Sequence, residues 1–166
     1  MKPLWAPWRL AYVAGPKVEG CVFCEALASD DDRVTLVLYR AELGFLILNR
    51  FPYNSGHLMV VPNRHVARLD ALSPQEAEAL MRLAALAVRV LESATGAQGF
   101  NVGMNLGRAA GAGIEEHLHM HVVPRWIGDT NFMPVISDVK VMPEHLEATY
   151  DRLANALAGL SADQRG

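Results

Sequence analysis

Cysteine is scarce in this chain: two residues in 166, three positions apart. One closely spaced pair cannot build a disulfide framework, so the expected setting is a reducing compartment, the cytoplasm. Long apolar runs are also missing. The longest, around residues 83–88, is far short of the roughly 20 residues that a membrane span requires. The opening Met1-Lys2-Pro3-Leu4-Trp5-Ala6-Pro7-Trp8-Arg9 has two prolines and no apolar core, unlike a signal peptide. Nor is positive charge in excess: Lys+Arg is 15 against Asp+Glu 18, a net charge of -3. That balance excludes a general coating of nucleic acid, which needs clustered positive charge, yet leaves room for a smaller phosphorylated ligand held by local groups. With 51% hydrophobic and 20% charged residues the chain is neither disordered nor collagen-like. Its length suits one domain.

Residues 1–20 hold three prolines and two glycines beside Trp5, Trp8 and Tyr12. They read as an ordered N-terminal arm, because disordered tails seldom carry such aromatics; the domain proper follows over residues 21–166. From Val34 the texture turns strand-like. Residues 34–39 and 43–49, separated by a short polar link, predict a hairpin. A turn over residues 51–56 leads to a third strand at residues 57–61. Ser73-Pro74-Gln75-Glu76 opens a helix with Ser as N-cap, Pro at the first position and Glu three residues beyond the cap. Leu80, Leu83, Ala87 and Leu91 follow at helical spacing, and Gly96 ends the helix. Two more strands are expected at residues 100–105 and 117–123 with a glycine-rich loop between them. A last helix starts at Pro143-Glu144, its apolar stripe being Leu146, Tyr150, Leu153, Leu157 and Leu160. The sum is an α+β domain: an antiparallel sheet of about five strands with two main helices.

The informative segment is Glu116-His117-Leu118-His119-Met120-His121-Val122-Val123-Pro124-Arg125. In a strand, alternate side chains share a face, so His117, His119 and His121 lie on one side and Leu118, Met120 and Val122 on the core side. Three imidazoles in a row bring polar nitrogens that core packing does not satisfy. A metal site is one alternative, since imidazole is a common ligand. Next-nearest neighbours on one strand face, however, are roughly 6.6 Å apart, awkward for three ligands about 2.0–2.1 Å from one ion. Nucleophilic catalysis at phosphorus is the other: neutral imidazole attacks without first losing a proton, and flanking imidazoles hydrogen-bond phosphate oxygens.

His117-Leu118-His119-Met120-His121-Val122-Val123 resembles the His-φ-His-φ-His-φ-φ signature of the histidine triad (HIT) superfamily of nucleotide hydrolases and transferases. Asn49, Gly56-His57, Val60-Val61-Pro62-Asn63-Arg64-His65 and Pro124-Arg125-Trp126 are similar to that family in the same order, so the likeness spans about residues 21–126. The resemblance implies a HIT-like fold with His119 as the nucleophile that takes the nucleoside monophosphoryl group. His121 would contact the phosphates and help protonate the bridging oxygen. His57 would be a fourth histidine of the phosphate site, Asn49 would bind the ribose, and Asn105 would bind phosphate. The turn from Gly107 through Gly111 to Gly113 would offer backbone N–H groups to oxyanions, a role glycines permit. Where many hydrolytic members carry Gln, four residues before the first triad histidine, this chain has Gly113, which would admit inorganic phosphate as acceptor in place of water. The subgroup most resembled is the bacterial diadenosine tetraphosphate (Ap4A) phosphorylases, in which Ap4A and phosphate give ATP and ADP. A HIT hydrolase, a nucleoside phosphoramidase and a non-catalytic, zinc-stabilised nucleotide-binding protein are the alternatives. A homodimer or larger homo-oligomer is implied by the family.

Cys21-Val22-Phe23-Cys24 has the spacing of a zinc knuckle or a redox pair. No βαβ context follows it, which disfavours a thioredoxin-like role, and no second pair exists to make a four-thiolate site within one chain. Two buried reduced thiols is the plain reading. The family resemblance implies instead a structural zinc held by Cys21, Cys24, His65 and His117, two thiolates and two imidazoles with no open position. His145 carries no assignment. Arg125 and Trp126 serve either a polyphosphate tail or a neighbouring subunit, or are simply a strand end in solvent.

Overall fold

The computed structural model describes residues 20–129 and 144–161. Apart from Gly20, the expected N-terminal arm lies outside these residues, as does Pro143 at the expected start of the last helix. Five strands form one antiparallel sheet in the order β1-β2-β3-β5-β4: β1 Val37–Arg40, β2 Gly44–Leu48, β3 Leu58–Pro62, β4 Gly99–Met104 and β5 Met120–Arg125. Among the described residues the α-helices are α1 Val22–Ala28, a single turn α2 Asp32–Thr35, α3 Pro74–Thr95 and α4 Leu146–Gly159. The α+β architecture with five antiparallel strands and two main helices is thus as expected.

Cross-strand partners share a face of the sheet. Leu46 pairs with Val60, Leu48 with Leu58, and Val60 and Leu58 with Met120 and Val122; all six are buried. This row faces α3, which covers it with Leu80, Leu83, Leu86, Ala87 and Leu91. The approach is close enough that a Cβ at Gly44 would lie 2.8 Å from the Val61 carbonyl oxygen and 3.0 Å from Leu83 Cδ1. The opposite row, Ile47, Met59 and His121, carries the chemistry.

Helix α3 begins as its sequence dictates. The Glu76 N–H donates to Ser73 Oγ (3.1 Å) and the Ser73 N–H to Glu76 Oε2 (2.7 Å), a reciprocal cap for orphan helix donors. Gly96 ends it at φ +62°, a left-handed conformation that glycine takes without steric cost. The hairpin starts later than expected. Asp31 Oδ1 accepts the Val34 N–H (3.1 Å) and winds residues 32–35 into a helical turn. Leu36 at φ +67° then redirects the chain into β1. The local cap overrides the β-branched composition of Val34 and Thr35. The last helix likewise begins at Leu146, after an exposed His145, and buries Thr149, Tyr150 and Leu153. Among the described residues no helix is long and apolar enough to cross a membrane.

Candidate functional site

Three connections converge on the strand face opposite α3. The first is α1, with Cys21 at its N-cap and Phe23 and Cys24 in its first turn. Arg40 of β1 fastens the far end of that helix: its guanidinium donates to the carbonyls of Leu27 (2.7 Å) and Ser29 (2.7 Å) while pairing with Asp32. Orphan C-terminal carbonyls of a short helix are thereby satisfied. The second is the loop after β3. Asn63 donates to the carbonyls of Ala41 and Glu42, and Arg64 forms a two-pronged pair with Glu76 at 2.8 Å. The Arg64 guanidinium, with the Ser73 N–H, holds the Glu76 carboxyl down at about 2. His65 is presented from this anchored loop. The third is the histidine segment. The sheet ladder takes it up only at Met120; before that, the Leu118 N–H donates to the Val66 carbonyl (2.7 Å). His117 and His119 therefore precede the regular strand instead of lying within it, and His117 reaches the loop carrying His65, their ring centroids 4.9 Å apart. Leu118, Met120 and Val122 are buried as expected.

Cys21, Cys24, His65 and His117 come together with one ligand atom each, all within 4.8 Å of one another. Cys21 Sγ is 3.2 Å and Cys24 Sγ 3.6 Å from His117 Nδ1, and Cys24 Sγ is 3.3 Å from His65 Nδ1. A tetrahedron with zinc's usual bond lengths has ligand–ligand edges of roughly 3.3–3.8 Å, so the set fits a metal. The tautomer fits too. His117 Nε2 lies 2.9 Å from the Pro62 carbonyl, which can only accept; the proton is on Nε2, and Nδ1 turns its lone pair to the thiols. Burial and the neighbouring Cys21 push the Cys24 thiol up. A bound cation would reverse that effect and favour the thiolates.

The rest of the cluster holds His57, His119 and His121. His119 Nδ1 donates to the His117 carbonyl (2.9 Å), so Nε2 is the nitrogen with the available lone pair. His121 Nδ1 is 2.9 Å from His57 Nε2. Around His57 Nδ1 stand the Tyr53 N–H at 3.0 Å and the Asn49 Nδ2 at 3.2 Å, while Asn49 Oδ1 accepts the Phe51 N–H. Asn105 Nδ2 lies 3.5 Å from His121 Nε2, the outer limit for a hydrogen bond. Burial lowers the pKa of His119, and burial together with His119 lowers that of His121 to about 4. Both rings are therefore neutral at pH 7, the state in which an imidazole is a nucleophile.

The glycine-rich turn behaves differently from expectation at one position. The Gly111 N–H donates to the Arg108 carbonyl (2.9 Å), so it is used within the turn and is not directed at an oxyanion. Its φ of +86° explains the glycine. Gly113 is exposed in the following loop. Arg125 is held by Asp129 (2.6 and 2.7 Å) and by Asn101 (2.8 Å), and the Trp126 indole N–H donates to the Thr95 carbonyl. Both fasten the end of β5.

Two aromatic residues of the site had no motif to mark them. Phe23, 1% exposed, stands with its ring centroid 5.4 Å from His117 and 5.1 Å from His119. Tyr53 lies over His57 and His121 at 4.7 and 5.6 Å. Phe23 sits between the two cysteines in sequence, and its apolar character was the only available signal. Tyr53 falls in the turn expected over residues 51–56.

Comparison with known proteins follows the same pattern. A profile of the HIT domain matches residues 32–126. The chain is 41% identical to an AP-4-A phosphorylase of Mycobacterium tuberculosis, over 95% of this chain and 85% of that protein. It is 26% identical to an adenosine 5'-monophosphoramidase of Schizosaccharomyces pombe, over 82% of this chain and 98% of that protein. The crystal structure of a zinc-bound histidine triad family protein from Mycobacterium smegmatis superposes with a TM-score of 0.68 at 28% identity, covering 84% of this chain and 94% of that one.

Proposed function

The chain belongs to the HIT domain family, and on that premise we propose that it is a nucleotidyl-transferring enzyme that cleaves dinucleoside polyphosphates, with Ap4A phosphorolysis to ATP and ADP as its reaction. The observation that carries this reading is the pairing of His119 Nδ1 with the His117 carbonyl, which leaves Nε2 unprotonated in a buried site of neutral imidazoles. Similarity to an AP-4-A phosphorylase over nearly the whole chain supports the choice of substrate and acceptor.

In the proposed reaction the Nε2 lone pair of His119 attacks the α-phosphorus of one adenosine half. A P–N bond forms as the P–O bond to the leaving ATP breaks, the bonding electrons departing with that oxygen. The adenylylated ring is cationic, and its Nδ1–H strengthens its bond to the His117 carbonyl as the charge develops. An oxygen of inorganic phosphate then attacks the same phosphorus. The P–N bond breaks, its electrons return to Nε2, and ADP leaves. His121 and Asn105 contact the phosphates, Asn49 supplies the ribose contact, and the missing side chain at Gly113 makes room for phosphate as acceptor.

Cys21, Cys24, His65 and His117 hold a structural zinc in this reading. Bound there, the ion would cross-link α1, the loop after β3 and the triad segment. All four positions are filled by protein, so it would offer no open site for substrate. We also place the chain in the cytoplasm, where the thiols stay reduced, and in a homodimer that joins sheets along the edge strand β4, whose residues 101–103 are exposed.

The test is to incubate the purified protein with Ap4A, with and without inorganic phosphate, and to separate the nucleotides. ADP and ATP formed only with phosphate is the expected result. AMP and ATP formed equally in both buffers would replace phosphorolysis by hydrolysis. Phosphoramidate cleavage is the second reading, favoured by the similarity to a monophosphoramidase, and turnover of a nucleoside phosphoramidate in preference to Ap4A would establish it.

A further inference from the structure

His57 is fully buried at 0% exposure. Its position behind His121 raises a question that the triad motif leaves open: which nitrogen of His121 carries the proton. Hydrogen-bonding groups with only one possible role answer it. A backbone N–H can only donate, and that of Tyr53 points at His57 Nδ1 from 3.0 Å. The Asn49 amide is oriented independently, because its Oδ1 accepts the Phe51 N–H at 2.9 Å. Its other end, Nδ2, is a donor, and it lies 3.2 Å from the same His57 nitrogen. Two donors converging on one ring nitrogen require a lone pair there, so the neutral His57 ring carries its proton on Nε2. That Nε2–H faces His121 Nδ1 at 2.9 Å. His121 Nδ1 must then accept, and its own proton sits on Nε2.

We propose that His57 is a positioning residue: held by the Tyr53 backbone and the Asn49 amide, it fixes His121 as the tautomer that presents Nε2–H to the oxygens of a phosphorylated substrate. The proposal rests on the nucleotidyl-transfer reading above and changes the part His57 plays in it. A fully buried ring with both nitrogens engaged in this way acts through His121 and is not itself a phosphate ligand. Neighbouring triad members thus hold opposite tautomers. His119 donates through Nδ1 to the His117 carbonyl and keeps Nε2 as a lone pair for attack, whereas His121 keeps Nε2–H as a donor. A backbone carbonyl sets the choice in one, and in the other the Tyr53 N–H and the Asn49 amide set it through His57.

No proton transfer is needed from His121. A neutral ring that gave up Nε2–H would have to become an anion, whereas a hydrogen bond to the leaving oxygen stabilises the developing negative charge with the proton in place. The opposite tautomer would turn a lone pair towards the phosphate oxygens and repel them. Asn105 Nδ2 is a donor, but at 3.5 Å from His121 Nε2 it is too far to require a lone pair on that nitrogen, and the amide can rotate to turn its oxygen to the Nε2–H instead.

Nitrogen-15 NMR of the ligand-free protein tests the tautomers directly, since protonated and unprotonated ring nitrogens differ widely in chemical shift. His57 and His121 are expected as Nε2–H tautomers and His119 as Nδ1–H; a wild-type His121 protonated at Nδ1 would overturn the proposal. Two variants then separate positioning from phosphate binding. His57→Gln places an amide N–H where the ring Nε2–H was, and should keep the His121 tautomer and recover most of the activity. His57→Leu fills the space without a donor. It should release the tautomer and lower kcat by about 10²–10³-fold, the loss typical of one misdirected transition-state donor, with KM for Ap4A little changed. A raised KM with kcat unchanged, or equal damage in both variants, would refute the role. Should the leucine variant fail to fold, the wild-type spectrum still decides. If the tautomers are as stated but wild-type protein turns over no dinucleoside polyphosphate, the substrate reading fails and the tautomer assignment stands.

Discussion

Phe23 joins the two halves of the site, and replacing it with alanine is the most informative perturbation. Its ring is 1% exposed and lies against both His117, a member of the four-residue cluster proposed to hold zinc, and His119, the proposed nucleophile. Phe→Ala at such a position removes the transfer energy of the ring and leaves a cavity, about 3–5 kcal/mol together. The two ring–imidazole contacts account for about 0.5–1.5 kcal/mol each within that sum. For a domain of this size a loss of about 3–5 kcal/mol lowers Tm by roughly 6–20 °C. Phe23→Leu is the companion: it keeps most of the volume, loses the ring contacts, and should cost only about 1–2 kcal/mol. Calorimetry of the wild type and both variants reads these values, and Ap4A turnover is measured well below each Tm. The leucine variant should lose activity out of proportion to its small destabilisation, because His119 no longer has a flat wall fixing its ring plane. A Phe23→Ala Tm within about 3 °C of wild type, or full activity in the folded leucine protein, would refute the claim that this side chain couples the two sites.

Cys24→Ser should bring bound zinc down to background by elemental analysis, and retention of zinc at the wild-type ratio would refute the assigned ligand set. His119→Ala should bind nucleotide but form no covalent adduct and no product; any remaining adduct on the protein would move the nucleophile elsewhere. Acid should weaken the fold before the carboxylates titrate. His121 is held at about 4 against an ordinary 6.5, so as pH falls the unfolded chain takes up the proton first, and stability is lost between pH 6.5 and 4. The full shift corresponds to about 3 kcal/mol, and partial exposure of the ring reduces it to about 1–2 kcal/mol. His119 is lowered as well and adds in the same direction. Equal urea midpoints at pH 7.5 and pH 5 would contradict this. Gly44→Ala should cost about 1–3 kcal/mol by overpacking, since the new Cβ would lie 2.8 Å from the Val61 carbonyl oxygen; an unchanged urea midpoint would show that α3 can move off the sheet freely.

What the sequence revealed and what it concealed divide along the range of the interactions. Helix α3 was legible because its signals are local: Ser73, Pro74 and Glu76 at one end and Gly96 at the other act on backbone within a few residues. The burial of Leu118, Met120 and Val122 followed from simple alternation. At Val34 and Thr35 two local signals compete. Their β-branched side chains suggest a strand, but the Asp31 carboxylate caps the turn, and Val34 is left 67% exposed at the surface. The four positions proposed to hold zinc are implied by the family resemblance, since nothing within the chain's local pattern ties His65 to Cys24, 41 residues away.

The proton positions were the least legible feature, for a physical reason. A triad motif names three identical side chains, and an imidazole acquires direction only from what its second nitrogen meets. His117 is oriented by the Pro62 carbonyl, His119 by the His117 carbonyl, and His121 through His57 by the Tyr53 N–H. Each of these three groups is backbone, carbonyls that any residue would supply and an N–H that any residue but proline would, and the Asn49 amide is the side chain that joins the Tyr53 N–H at His57. Side-chain identity therefore places three histidines in one segment, whereas the course of the chain around them suits the first to holding a metal, the second to attack and the third to donation in the proposed reaction. It follows that the site should be more sensitive to substitutions that move the backbone near Tyr53 than to loss of the exposed Tyr53 ring. Tyr53→Pro, which removes the N–H donor to His57, should impair turnover far more than Tyr53→Ala, which keeps it. Equal activity of the two variants would mean that the Asn49 amide alone sets the His57 ring.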